Sequence, residues 1–451
     1  MYYCRRSLIR CTTSRYYNNN TSQHYALINR KFSGTSSFFT KHEKVYALPF
    51  KLSEERAPQV IELANYITEH KFLGFFKLLK SMFLKTLPKV SETSNIQMRK
   101  AYIPFWYYDM AIKATVKQKS NGEEREVLCV GLDEYWIGHQ WSPMCYLSFG
   151  NPISINADTL KPFNQIYEEI MENKNDEDNN DNNSNSSSDI EVIPFTTDPI
   201  QDLAAYIPTA LEGLTLSQGT KNECQLSNAE LVFGAAYPLY FPVYIAQVDA
   251  ENKNGLHTVL VIGGHSENPP IFKYDPIDDA SEKEKKNVSL SRQWINSGQW
   301  IRLDVADQSW RVGYPTSPLQ ELLNQFMAHV VNREEDPNLV TKPRQPIPWD
   351  QDVRIQAYPS HQKENKSYIE QLFKVWAQQN MLTKLDTMDP DKKTIGMGEK
   401  GLEVQTAEKL KETILEKVGE ELKTLETLEP HWLKEYNNQL IKQKHQQNQE
   451  E

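Results

Sequence analysis

With 451 residues, 39% of them hydrophobic and 11% aromatic, the chain is long enough for two or three domains and can bury a real core. A formal charge of −10 argues against a general binder of phosphate backbones, whose footprint is basic, so no nucleic-acid partner is expected. The five cysteines (Cys4, Cys11, Cys129, Cys145 and Cys224) form no CxxC pair, which speaks against a zinc ribbon or disulfide framework and suits a reducing compartment.

Residues 1–42 contain no Asp or Glu, whereas Arg5, Arg6, Arg10, Arg15, Arg30, Lys31 and Lys41 are basic and Ser, Thr, Asn and Tyr fill much of the rest. That composition is the pattern of an organellar presequence, because a cationic segment is drawn across a membrane that is negative inside. Arg30-Lys31-Phe32-Ser33 has the arginine spacing of a matrix-protease site, so residues 1–32 are expected to be a mitochondrial presequence. The mature protein is then expected in the mitochondrial matrix. The competing reading is a basic tail on a cytosolic protein.

Residues 45–50 predict a short lead-in strand, and Ser53 with Glu54 and Glu55 predicts a helix start, with Val60, Ile61, Ala64 and Ile67 on its buried face. Residues 71–85 carry Phe72, Phe75, Phe76, Leu79, Met82 and Phe83 on one helical face and Lys77 and Lys80 toward the other. The segment is too short and too charged to span a bilayer, which takes about 20 apolar residues. Phe72, Phe76, Lys77 and Lys80 are candidate contacts with an anionic surface such as the inner membrane; packing on the protein's own sheet is the alternative.

Residues 101–116, beginning Ala101-Tyr-Ile-Pro-Phe-Trp, are dominated by aromatic and β-branched residues and alternate in their second half as a half-buried strand does. The turn signal Ser120-Asn-Gly122 and a return strand over 125–131 complete a hairpin. The phrase Tyr102-x-Pro104-Phe-Trp returns as Tyr240-x-Pro242-Val-Tyr, in a second predicted hairpin over 237–248 and 256–264. Two related hairpins in one sheet are the expectation, with an edge strand at 271–274 and short apolar pieces around Trp294, Trp300 and Trp310 finishing or covering it. Between the hairpins, residues 173–191 are Asn, Asp and Ser runs that cannot bury enough apolar surface to fold, and predict a disordered insertion. Base stacking on the aromatic strands is disfavoured, since no Lys or Arg interleaves with them.

Beyond Tyr314 the apolar period changes from 2 to 3.6. Ser317-Pro318-Leu319-Gln320 is a capped helix start, followed by the stripe Leu319, Leu322, Leu323, Phe326, Met327, Val330 and Val331. Residues 336–358 read as a Pro-rich linker in which Trp349 is free to dock. Further helices are predicted over 363–385 and 403–425, then a break at Pro430 and a last helix with Trp432 and Tyr436 before a frayed Gln/Lys-rich tail. The domain plan is therefore a presequence at 1–32, an α+β domain at 33–314 interrupted by the 173–191 insertion, and a helical region at 315–447.

The densest chemistry lies in 133–150. His139 sits between Trp136 and Trp141, with Asp133, Glu134 and Cys145 near in sequence. Proton transfer or metal ligation would use such residues, but no second His–Cys element at ligand spacing accompanies them; a satisfied histidine among aromatic side chains is the preferred reading. Tyr135, Trp136, His139 and Trp141 are candidate partner- or ligand-binding residues, because Trp and Tyr dominate interface hot spots. Gly396-Met-Gly398-Glu-Lys-Gly401 matches GxGxxG, yet the preceding Asp389-Pro-Asp-Lys-Lys-Thr reads as a loop where the motif needs a strand, so the stretch predicts a glycine linker rather than a dinucleotide site. No cofactor, metal or catalytic residue is expected.

Leu48-Pro-Phe-Lys51, the following helix and Ala101-Tyr-Ile-Pro-Phe-Trp-Tyr-Tyr-Asp109, together with Tyr240-Phe-Pro-Val-Tyr-Ile-Ala246 and Thr258-Val-Leu-Val-Ile-Gly-Gly264, resemble a bacterial domain of unknown role that follows a zinc ribbon. The resemblance covers about residues 45–276. It implies the two-hairpin sheet and transfers no catalytic residue, and the ribbon cysteines are absent here. The combined expectation is an α+β protein, non-catalytic, binding protein partners as an assembly or maintenance factor and peripheral to the inner membrane. The alternative is a small-molecule-binding protein or enzyme with a pocket around residues 133–148.

Amino-terminal sequencing of purified mature protein is expected to begin at Ser33, a cut that removes six basic residues and no acidic one and takes the formal charge from −10 to −16; an intact Met1 would overturn the presequence.

Overall fold

The computed structural model describes residues 42–69, 97–118, 122, 124–139, 155, 157–177, 190–200, 215–217, 223–249, 256–264, 269–274, 300–303, 347, 349–398 and 401–450. In chain order its elements are β1 (Tyr46–Ala47), α1 (Arg56–Glu69), β2 (Gln97–Gln118), β3 (Glu124–Ile137), β4 (Lys161–Pro162), α2 (Phe163–Glu177), β5 (Ile190–Val192), β6 (Thr215–Ser217), β7 (Glu223–Asp249), β8 (Leu256–Ile262), β9 (Ile271–Tyr274) and β10 (Trp300–Leu303). They are followed by α3 (Tyr358–Asp386), β11 (Lys393–Gly398), β12 (Gly401–Thr406), α4 (Ala407–Leu428) and α5 (His431–Glu450). The fold is α+β, with a ten-stranded sheet that is antiparallel except where β1 meets β7 and β5 meets β2.

The two predicted hairpins are β2–β3 and β7–β8, and they share one sheet because β2 and β7 are antiparallel neighbours from Gln97↔Gln247 to Gln118↔Cys224. Their repeated phrases lie across from one another: Tyr102 opposes Pro242, Ile103 opposes Phe241 and Pro104 opposes Tyr240. Proline in a central strand ordinarily costs a ladder hydrogen bond. Here both prolines turn their amide side toward a place where one neighbouring strand gives way to another. Pro104 lies between the end of β5 pairing at Tyr102 and the start of β3 pairing at Phe105, and its carbonyl accepts from the Gly138 amide at 2.8 Å. Pro242 lies between β1, which pairs to Tyr240, and β8, which pairs from Val243; its carbonyl accepts from the Gly263 amide at 2.7 Å. No ladder donor is missed at either site.

Alternation gives the sheet two faces. On one, Tyr102, Trp106, Tyr108 and Tyr240 are covered by α2, by residues 193–200 and by Trp349, while Leu52 and α1 cover Tyr244 nearby. Trp106 packs on Phe195 at 4.7 Å and Trp349 at 5.3 Å, and its indole donates to the Thr197 carbonyl at 3.2 Å. A Cβ on Gly138 would come within 2.5 Å of the Phe195 ring, so only glycine permits that approach. On the other face lie Phe105, Tyr107, Asp109, Tyr135, Tyr237 and Phe241, capped by α3 and α5. Helix α4 packs on α3 through Leu410, Ile414 and Val418 against Leu382 and Leu385.

Several expectations change. Strand β3 continues to Ile137, so Asp133, Tyr135 and Trp136 belong to the sheet rather than to a loop. The GxGxxG glycines lie in an antiparallel hairpin, Gly398 opposing Gly401 at its tip and Ile395 opposing Val404, rather than in a linker; the β-branched residues favour strand, and α4 starts only at Ala407, capped by Thr406. Within the expected insertion 173–191, α2 runs to Glu177 and β5 begins at Ile190, and residues 178–189 lie outside the described residues. The Gln/Lys-rich tail is helical through Glu450. The stripe over 319–331 and the amphipathic stretch 71–85, with Phe72, Phe76, Lys77 and Lys80, fall outside the described residues.

Trp106→Ala, which deletes a fully buried indole, is expected to cost about 3–5 kcal/mol in a denaturant titration, with the native circular dichroism retained.

Candidate functional site

Two fully buried polar side chains, Asp109 and Asn365, lie on the face of β2 beneath α3. Asp109 is the only acid in the run 101–116, and strand alternation turns it into the core, where it is fully buried. Opposite it, the β2–β3 register shifts between Tyr108 and Met110, and Asp133 sits in this bulge with φ +55°. Asp tolerates this left-handed conformation better than most residues, and the bulge aims the Asp133 amide at Asp109.

The Asp109 carboxylate accepts at both oxygens: Oδ1 from the Asp133 amide at 3.1 Å and Oδ2 from the Tyr237 hydroxyl at 2.6 Å. Tyr237 Oη accepts from Asn365 Nδ2 of α3 at 2.7 Å, and Asn365 Oδ1 accepts from the Trp432 indole of α5 at 2.9 Å. Asp133 Oδ1 accepts from the Tyr358 hydroxyl and from Gln362 Nε2, each at 3.1 Å, tying the first turns of α3 to β3. Around these bonds Tyr107 stacks on Tyr135 at 5.6 Å and meets Tyr358 edge-on at 5.9 Å. The Tyr107 hydroxyl makes no hydrogen bond among the described residues.

Burial dominates the electrostatics. It pushes the Asp109 carboxyl up to about 6, against the opposing pull of Tyr237, the Asp133 amide and the more distant Lys366. Tyr107, Tyr237 and Tyr358 are likewise held above the ordinary phenol range, burial being the largest cause each time. Asp109 is thus a carboxyl poised near neutrality, as general acids and bases are. Yet its oxygens, and the Asp133 oxygen toward α3, are engaged by protein donors, so the geometry fits a structural tie between sheet and helices. No group of three or more His, Cys, Asp or Glu side chains that could hold a metal occurs among the described residues.

The sequence-derived candidates are placed as follows. Tyr135 is buried against Tyr107 and Phe105, and Trp136 is in β3 opposite Trp106. His139 is buried on the other face; its Nδ1 lies 3.0 Å from the Pro194 carbonyl, so that nitrogen carries the proton, and burial lowers the imidazole to about 4, leaving it neutral at ordinary pH. Trp141 lies outside the described residues. Tyr135 and His139 are therefore core residues here, on opposite faces, and form no common surface with each other. The residues that sequence reasoning missed are Asp109, Tyr237, Tyr358 and Asn365. The one local signal was an acid alone in an apolar strand, which demands an enclosed partner.

Tyr237→Phe leaves Asp109 Oδ2 and Asn365 Nδ2 buried without their shared hydroxyl and is expected to cost about 2–3 kcal/mol in chemical denaturation. Tyr107→Phe, which removes a hydroxyl that bonds to nothing described, is expected to be neutral or stabilising; the reverse order of the two variants would refute this assignment of the network.

Comparison of the chain with known protein families, with curated proteins and with solved structures finds no match, so the site is characterised by its geometry.

Proposed function

We propose that this is a non-catalytic, partner-binding protein of the mitochondrial matrix, acting in the assembly or maintenance of a larger complex. The observation that carries the reading is where apolar surface is left uncovered. Among the described residues nine large hydrophobic side chains are exposed, and all but Val232 lie in the helical region: Phe373, Met381, Met388, Ile395, Val404, Leu415, Leu422 and Ile441. Exposed apolar side chains that lie side by side mark interaction surfaces, whereas singly scattered ones do not, so the weight falls on the pair in the β11–β12 hairpin. Ile395 and Val404, each 69% exposed, directly oppose one another across the β11–β12 hairpin, which contacts α4 and stands apart from the large sheet. A two-stranded hairpin is marginal alone and gains from a partner.

The compartment rests on the acid-free, basic composition of residues 1–42. No described helix is long and apolar enough to cross a membrane, and peripheral contact with the inner membrane remains part of the proposal through residues 71–85. The resemblance to the bacterial domain supports the two-hairpin body and adds no residue to the partner surface.

A second reading, a small-molecule or enzymatic pocket around 133–148, has one observation in its favour: the left-handed Asp133 beside the buried Asp109 carboxyl. Metabolites retained by the native protein and lost on Asp133→Asn would support that reading.

Proximity labelling inside mitochondria is expected to yield a reproducible set of matrix proteins that is depleted by the paired substitution Ile395→Asp and Val404→Asp while the fold persists. Trp141→Ala tests that candidate residue in parallel. A set that neither variant changes would overturn the partner-binding reading.

A further inference from the structure

The helices α3 and α5 are joined to the sheet by a chain of hydrogen bonds with a fixed direction. An indole N–H can only donate, so Trp432 forces Asn365 to present its oxygen to α5 and its Nδ2 to Tyr237. The Tyr237 proton is thereby directed onward to Asp109 Oδ2 at 2.6 Å, while Oδ1 meets the Asp133 amide at the longer distance of 3.1 Å and is the oxygen left to take up a proton. Among the described residues no cation bonds to Asp109. The titratable and charged groups around it are Tyr107 from β2, Asp133 and Tyr135 from β3, Tyr237 from β7, and Tyr358 and Lys366 from α3; α5 brings Trp432, which does not titrate. One carboxyl beneath two helices, enclosed and without a bonded counter-ion, makes their seating sensitive to its charge.

We propose that Asp109 makes the docking of α3 and α5 on the sheet pH-dependent, its ionisation loosening the two helices and its protonation seating them. Burial outweighs the three favourable influences on the charged form, giving a value of about 6 with the helices seated, and the opposing Asp133 charge adds to the rise. With the helices lifted, Asp109 meets water and returns toward the ordinary 3.8. The seated form therefore binds the proton more tightly. Its extra stability is fully present below 3.8 and is lost as pH rises through about 6. The two values differ by roughly two pH units, which corresponds to roughly a 100-fold change in the lifting equilibrium. The device stands independently of the partner-binding reading, since it concerns only the hold of the helices on the sheet.

Hydrogen exchange on the full chain at about pH 5 and about pH 8, corrected for the intrinsic pH dependence of amide exchange, tests it. The amides of α3 and α5 are expected to be less protected than those of β2 and β7, and to lose roughly 10-fold in protection at the higher pH. Asp109→Asn is expected to abolish that dependence, whereas Asp133→Asn is expected to retain it. Protection in α3 and α5 that does not change with pH, or that changes only in step with the sheet at equal protection, would overturn the proposal in the wild-type protein alone. A dependence that survives in Asp109→Asn, or disappears only in Asp133→Asn, would do the same.

Discussion

The structure depends on the pairing of β2 with β7. Both are far longer than an ordinary strand, and both are buried on both faces along their central stretch. The pairing places Tyr102-Ile-Pro104 against Tyr240-Phe-Pro242 in reversed register, so each tyrosine sits opposite a proline. A ring beside a side chain that lacks an amide proton packs without forfeiting a backbone bond, because each proline faces a junction between successive neighbouring strands. That arrangement allows prolines where a continuous ladder would forbid them, and it ties the arrival of β1, β3, β5 and β8 to the two central strands.

The two faces of this pair are finished by different parts of the chain and by different physics. The face bearing Trp106 and Tyr240 is closed by the middle of the sequence, with aromatic contacts to Phe163, Phe195 and Trp349 and polar atoms bonded to nearby backbone. The face bearing Tyr107 and Tyr237 is closed by the carboxy-terminal helices, and there a carboxyl is enclosed. Burying it costs more than its hydrogen bonds return in the charged state, as its upward shift records. The same bonds set the angle of α3, because Asn365, Gln362 and Tyr358 are spaced along one face of the helix and meet two strands.

Distal to that contact the chain changes character. Helix α4 buries one stripe on α3 and leaves Leu415 and Leu422 toward solvent, and the hairpin before it exposes an apolar cross-strand pair. The sheet buries its aromatic residues, whereas the helical region leaves apolar side chains exposed, the feature on which the proposed partner binding rests.

Much of this was legible in the amino-acid order, because alternation and helical spacing are local properties. The two hairpins, the edge strand at 271–274, the helix over 363–385 and the break at Pro430 follow from residues within a few positions of each other. The sequence also marked the shared phrase that sets β2 beside β7. What it did not determine was what each side chain meets. In sequence Tyr135 and His139 stand together in one aromatic stretch, His139 reading as a satisfied histidine; β3 runs further than expected, and alternation and the bend at Gly138 send the two into opposite faces. Asp109 and Tyr237 are 128 residues apart, as are Tyr237 and Asn365, and Asp133 is 225 residues from Tyr358. Periodicity carries no information over such separations; only the closing of the helices over the sheet decides which acid is enclosed, which hydroxyl points at it, and hence which residue in the core responds to a proton.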